Sequence, residues 1–123
     1  MHFERNEFAA IVKIAMAMAA ADGVFVESEK KAISFELIRF GVSKSDLPAL
    51  LADARGMDSR ESVAIISGMT DEQKNYVAAF LGELLIIDGQ IAEAEMKMWR
   101  LATNICGLPT LTVEEAINYM TNL

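Results

Sequence analysis

The chain predicts an all-α protein of about seven helices, and three observations predict it. No stretch alternates apolar and polar residues with a period of two, so no strand is signalled. Apolar residues recur instead at helical spacing, in segments that open on Ser, Thr or Asp and close on glycine. One pattern, D-G-x-(apolar)-x-E-x-E, then occurs twice, at Asp22 to Glu29 and at Asp88 to Glu95, each time joining an apolar segment to an amphipathic one. Two helical hairpins related by a pseudo-twofold axis, with extra short helices, are the economical solution.

The first helix is expected from about Asn6, as N-cap, to Ala21. Phe8, Ile11, Val12, Ile14, Met16 and Met18 cover almost its whole circumference, broken by Lys13. A helix apolar all round in a water-soluble protein belongs at the centre. Gly23 suits the left-handed conformation that closes a helix. The second helix starts near Val26 or Glu27 and runs through Ile33, Leu37 and Phe40 to Gly41. Lys44, Ser45 and Asp46 precede a third helix with Pro48 in its first turn and Gly56 at its end. Asp58 to Glu61 is capping-box-like and opens a short fourth helix.

Thr70-Asp71-Glu72-Gln73 is a capping box for a fifth helix, apolar nearly all round from Tyr76 to Ile87. Gly82 in its interior costs about 1 kcal/mol relative to alanine. The expected return is close packing, against the alanine-rich first helix. The sixth helix runs from Glu93 to Gly107, and Thr112-Val113-Glu114-Glu115 caps the seventh. Asp22/Asp88, Gly23/Gly89, Glu27/Glu93, Glu29/Glu95, Lys31/Lys97 and Gly41/Gly107 all stand 66 residues apart. The repeat therefore covers about 6–41 and 72–107 within one domain of 123 residues, with the first and fifth helices inside.

Composition narrows the function. The chain is 53% hydrophobic and 24% charged, as a globular core requires. Its net charge of −7 argues against nucleic acid, whose phosphates want a Lys/Arg face. It also disfavours an anionic membrane surface, and no apolar run approaches the roughly 18 residues of a spanning helix. The apolar run from Ala9 to Ala21 is read as structure, because Glu4 and Glu7 stand where a signal peptide is basic. One cysteine, Cys106, permits no internal disulfide and fits a reducing, cytoplasmic setting; it reads as a small buried apolar residue. The eight methionines, at helical spacing, read as core filler. There is no phosphate loop, no G-x-S-x-G and no histidine in the body of the chain to serve a nucleophile. The expectation is therefore no enzymatic activity. A hydrolase working through paired carboxylates is the distant rival, since that chemistry needs two carboxyls about 5–9.5 Å apart in a cleft.

The repeated turn carries the chemistry on offer. Aligned on its glycine it resembles the second half of an EF-hand loop, but positions 1 and 3 hold Met18 and Ala20 in one copy, and Leu84 and Ile86 in the other. Without leading carboxylates that calcium loop is excluded. Two readings stay open. In one, Asp22 and Asp88 are turn residues while Glu29 and Glu95 cap the helices they begin. In the other, Asp22, Glu29, Asp88 and Glu95, with Glu27 and Glu93 nearby, gather as oxygen ligands for a divalent cation. Calcium or magnesium suits such ligands better than zinc, since the only histidine is His2 and the only thiol is Cys106.

The run from Ala17 to Glu29, followed by Asp88 to Glu95, resembles the TerB-like superfamily, which includes the tellurite-resistance protein TerB and the N-terminal domain of membrane-anchored J-domain co-chaperones. The resemblance covers nearly the whole chain. It implies an all-helical, pseudo-symmetric bacterial domain without catalysis, associated with stress responses near the membrane. It implies a cation at Asp22, Glu29, Asp88 and Glu95, and another protein, membrane-associated, as partner. Val26 and Ala92 stand where family members often have Asp or Ser, which thins the acidic site. With no J-domain or anchor in the sequence, the expectation is a small protein acting without inserting into a membrane.

Overall fold

The computed structural model describes residues 1–21, 27–87 and 93–123. They form seven helices: α1 Arg5–Ala19, α2 Glu27–Arg39, α3 Leu47–Gly56, α4 Ser59–Ser67, α5 Asp71–Leu84, α6 Glu93–Cys106 and α7 Val113–Thr121. No strand occurs among the described residues, and no helix there is long and apolar enough to cross a membrane.

Helix starts follow their chemistry. Thr70 Oγ1 accepts the Gln73 N–H while Gln73 Oε1 accepts the Thr70 N–H, and Thr112 and Glu115 do the same for α7. The Asp58 carboxylate accepts the Arg60 N–H at 2.8 Å. Two starts differ from expectation. Asn6 is not the cap of α1: Glu7 reaches back to the Glu4 N–H at 2.8 Å, which sets the start at Arg5 and leaves Asn6 in the first turn. Asp46 precedes α3, but its carboxylate accepts the Ser43 hydroxyl at 2.8 Å rather than a helix amide.

Helix α1 sits at the centre, packed against α2, α3, α4, α5 and α6. Ala9, Ala10, Ala15 and Ala19 are essentially without solvent exposure, and their small side chains let neighbouring backbones approach. Lys13 reaches out to the Arg55 carbonyl at 3.3 Å. Helix α4 is pinned to α1 by the buried Ser62 hydroxyl, which donates to the Ala10 carbonyl at 2.8 Å. Helix α5 packs on α1, α6 and α7, and is buried without a break from Tyr76 to Gly82.

The repeat extends beyond the hairpin. Gly41 and Gly107 both adopt positive φ, 97° and 66°, where a Cβ would be strained. Val42 N–H then bonds the Leu37 carbonyl and Leu108 N–H the Thr103 carbonyl, both at 3.0 Å, the same helix-closing bond in each copy. The next helices, α3 and α7, also begin 66 residues apart, at Leu47 and Val113, and bury the equivalent Leu50 and Ala116. In each unit the third helix packs on the first, α3 on α1 and α7 on α5. The duplicated unit is thus three helices long, with α4 between the copies.

Gly82 does not face α1. A Cβ there would lie 2.7 Å from both Ala116 Cβ on α7 and Trp99 Cζ2 on α6. Trp99 Nε1 also donates to the Ala78 carbonyl at 3.1 Å, laying the indole along α5. Gly82→Ala should therefore destabilise despite its better helix propensity. Overpacking costs typically about 1–3 kcal/mol against about 1 kcal/mol gained. In urea unfolding the midpoint should fall with an unchanged slope; an unchanged or raised midpoint would mean that α6 and α7 yield freely at this contact.

Candidate functional site

The D-G-x-x-x-x-x-E turns are only partly within the described residues. Asp22 and Asp88, with the rest of 22–26 and 88–92, lie outside them, so the expected gathering of six carboxylates does too. The remaining acids divide sharply. Glu27 and Glu93 are the first residues of α2 and α6, exposed, with Lys30 and Lys97 at 4.0 and 3.5 Å. Such exposed pairs contribute little. Glu29 and Glu95 are the third residues of the same helices and are buried, at 3% and 6% exposure. Among the described residues, no three His, Cys, Asp or Glu side chains come together as a metal site.

The third helical position is where a Glu or Gln closes a capping box, and Glu7, Gln73 and Glu115 do so in α1, α5 and α7. None of those three is buried. Both glutamates that follow a D-G turn are. Removing a carboxylate from water is costly unless polar or charged groups compensate it, so these two positions are built alike and unlike the other helix starts.

A second cluster lies between α2 and α5, where Tyr76 carries a polar tip on an otherwise apolar stretch. The Tyr76 hydroxyl donates to Glu36 Oε2 at 2.8 Å, and Arg39 donates to the same oxygen through Nε at 2.8 Å and Nη2 at 2.7 Å. The Arg39 guanidinium lies 5.1 Å from the Phe40 ring centroid and 5.8 Å from that of Tyr76, within cation–π range. Burial, then the Glu36 charge, holds the Tyr76 phenol far above its ordinary range. Beside them Glu83 Oε2 is buried without a hydrogen-bond partner among the described residues. Burial first, then the Glu36 charge, raises the Glu83 carboxyl, and Arg39 offsets part of that. The signal for this cluster is present in the sequence: Glu36 and Arg39 are spaced i,i+3, and Glu83 is the one acid in the apolar run from Tyr76 to Ile87. What joins them is a contact across 40 residues.

Cys106 is fully buried, and burial pushes its thiol up, with Lys74 opposing. That environment disfavours the nucleophilic thiolate.

Fold and turns together define an all-α protein made from a duplicated three-helix unit, with a buried glutamate opening the second helix of each copy. No family model and no curated protein matches the chain. A crystal structure of a protein of unknown function from Porphyromonas gingivalis is similar to it, with a TM-score of 0.87 and 40% identity over 100% of this chain and 99% of that one. The chain belongs to the family of that protein.

Glu83 yields a pH signature. Its folded pKa is raised above the ordinary 4.5, so its contribution to stability is present below that value and is lost as pH rises through the folded value. Glu83→Gln removes that term. Wild type should lose stability relative to the variant as pH rises from about 4 toward neutrality. Chemical denaturation across that range measures it, and a constant difference at every pH would refute a titrating Glu83.

Proposed function

We propose that the chain is a non-catalytic, TerB-like binding domain whose two D-G turns hold a divalent cation. Glu29 and Glu95 would supply carboxylate oxygens, with Asp22 and Asp88 as the other acids of each turn. Calcium or magnesium fits an all-oxygen ligand set better than zinc does. The observation that carries the reading is the matched burial of Glu29 and Glu95, while Glu27 and Glu93 two residues earlier stay exposed. A bound cation compensates desolvated carboxylates, and a cation shared by the two turns would account for a buried glutamate in each copy. By its resemblance to TerB-like domains, the reading extends to a bacterial stress process in the cytoplasm with another protein, membrane-associated, as partner.

A second reading has its own support. Glu29 and Glu95 occupy the third helical position, the register of the capping-box acids elsewhere in this chain. In that reading they close their own turns, no metal binds, and the domain acts only through protein contacts.

Thermal melts in EDTA and in excess calcium, magnesium, manganese or zinc separate the two, for wild type and for Glu29→Gln/Glu95→Gln. A cation at a hundred times its dissociation constant adds about 2.7 kcal/mol, on the order of 10 °C for a chain of this size. The expected outcome is such a shift in wild type with calcium or magnesium, absent from the double variant. If no cation moves the wild-type melt and the variant simply melts lower, the glutamates are caps.

A further inference from the structure

We infer that the groove between α2 and α3 is a binding site for an anionic amphiphile, a molecule with a hydrocarbon body and a carboxylate or phosphate head. This goes beyond the cation reading and does not depend on it. The groove encloses about 610 Å³, within the roughly 300–1,000 Å³ typical of small-molecule sites. Met16 of α1, Ile33 of α2 and Leu51 of α3 form an apolar floor. Phe35, 67% exposed, and Ile38 stand at its edge with large apolar surfaces in water.

The rim reverses the character of the chain. The protein has 18 acidic and 11 basic residues, yet among the described residues this groove is lined by Lys30, Lys31, Lys44 and Arg55 against one carboxylate, that of Glu27. Glu27 faces Lys30 at 4.0 Å, both well exposed. Among the described residues no carboxylate pairs with Lys31, Lys44 or Arg55. Clustered cations repel one another, and an anionic head group on the rim relieves that repulsion through charge-assisted hydrogen bonds.

The duplicated fold supplies an internal comparison. The equivalent groove, between α6 and α7, encloses about 500 Å³. There Met96, Trp99, Arg100, Asn104 and Thr110 occupy the places of Lys30, Ile33, Ser34, Ile38 and Lys44. The packing of three helices therefore makes the groove, but it does not require the cations. Two of the first groove's lysines are a methionine and a threonine in the second, and its apolar Ile38 is an asparagine.

The same features select a monomeric ligand. A polyanion or an anionic bilayer would meet the chain's net charge of −7 over a broad surface, whereas a single small head group meets only the local cations, within a Debye length of about 8 Å. The apolar floor then takes a hydrocarbon body that a free phosphate lacks.

The test is an NMR titration of the full nitrogen-15-labelled chain with sodium decanoate and, separately, decyl phosphate, both kept below their micelle concentrations. Decyltrimethylammonium and inorganic phosphate serve as controls. Saturable shifts are expected for amides of residues 30–38 and 44–55, weakened by added salt, and absent with either control. Which head group binds more tightly distinguishes carboxylate from phosphate ligands. Lys44→Glu/Arg55→Glu, both exposed positions, should weaken binding by about tenfold or more, the scale of charge-assisted contacts, while the melt stays near wild type. Phe35→Ser should weaken it without touching a charge. Equal shifts around residues 96–104, equal binding of the cationic amphiphile, an unchanged affinity in the double charge variant, or no saturable shift with either anion would each overturn the assignment. So would a dimer in sedimentation that Phe35→Ser abolishes, since the groove would then be an interface between copies.

Discussion

Everything in this fold depends on covering two helices that are apolar over most of their circumference. Helix α1 buries Ile11, Val12, Ile14 and Met18 together with Ala9, Ala10, Ala15 and Ala19, and leaves Asn6 and Ala17 exposed on its remaining side. Helix α5 buries Tyr76 through Gly82 without interruption. An amphipathic helix needs one neighbour, whereas a helix apolar over most of its circumference needs a surrounding shell. The other five helices are that shell. Their arrangement follows from the shape of what they cover: alanines on α1 let α3 and α4 come close, and the missing side chain at Gly82 admits Trp99 and Ala116 onto α5.

Duplication gives that shell its order. The helix-closing bonds at Gly41 and Gly107 fix where the second helix of each unit ends and in which direction the chain leaves. The third helix then returns to pack on the first in both copies. Because backbone geometry is repeated while side chains are free to diverge, the two copies differ in their surfaces. Ile33 and Trp99 fill equivalent core positions with different volumes. Leu50 and Ala116 do the same, the smaller residue standing where Gly82 already brings the helices together. Divergence at the rim of the two interhelical grooves is of the same kind, and it is unconstrained by packing.

Polar groups inside this apolar frame are few, and each has a definite place. Ser62 and Trp99 satisfy their donors on main-chain carbonyls of α1 and α5, and so tie secondary elements together. Glu36, Arg39 and Tyr76 satisfy one another where α2 meets α5. Glu83 lies at the edge of that network, raised by burial and by its acidic neighbour. A carboxyl held in this way differs from Glu29 and Glu95, whose burial is repeated in both copies and adjoins a turn. Recurrence in a duplicated unit argues that the burial belongs to the unit itself rather than to one local accident of packing.

The sequence by itself determined the all-α class, the two central helices and most helix ends, because periodicity, capping residues and glycine stops act within a few residues of one another. The 66-residue repeat and the cap pairs at Thr70 and Thr112 are of that local kind. At the start of α1 two local signals compete, and the reach-back bond of Glu7 prevails over Asn6. Other features rest on contacts between residues far apart in the chain. The partners of Gly82 are α6 and α7, since a glycine advertises close approach but not by whom. The third helix of the repeat is hidden in the sequence because α3 and α7 share register and burial rather than residues. The glutamates of the turns are legible as candidates, but exposure of Glu27 against burial of Glu29 is a matter of which side of α2 meets the core. Only the tertiary structure decides that, because burial is a property of the neighbours a side chain acquires and not of the residue itself.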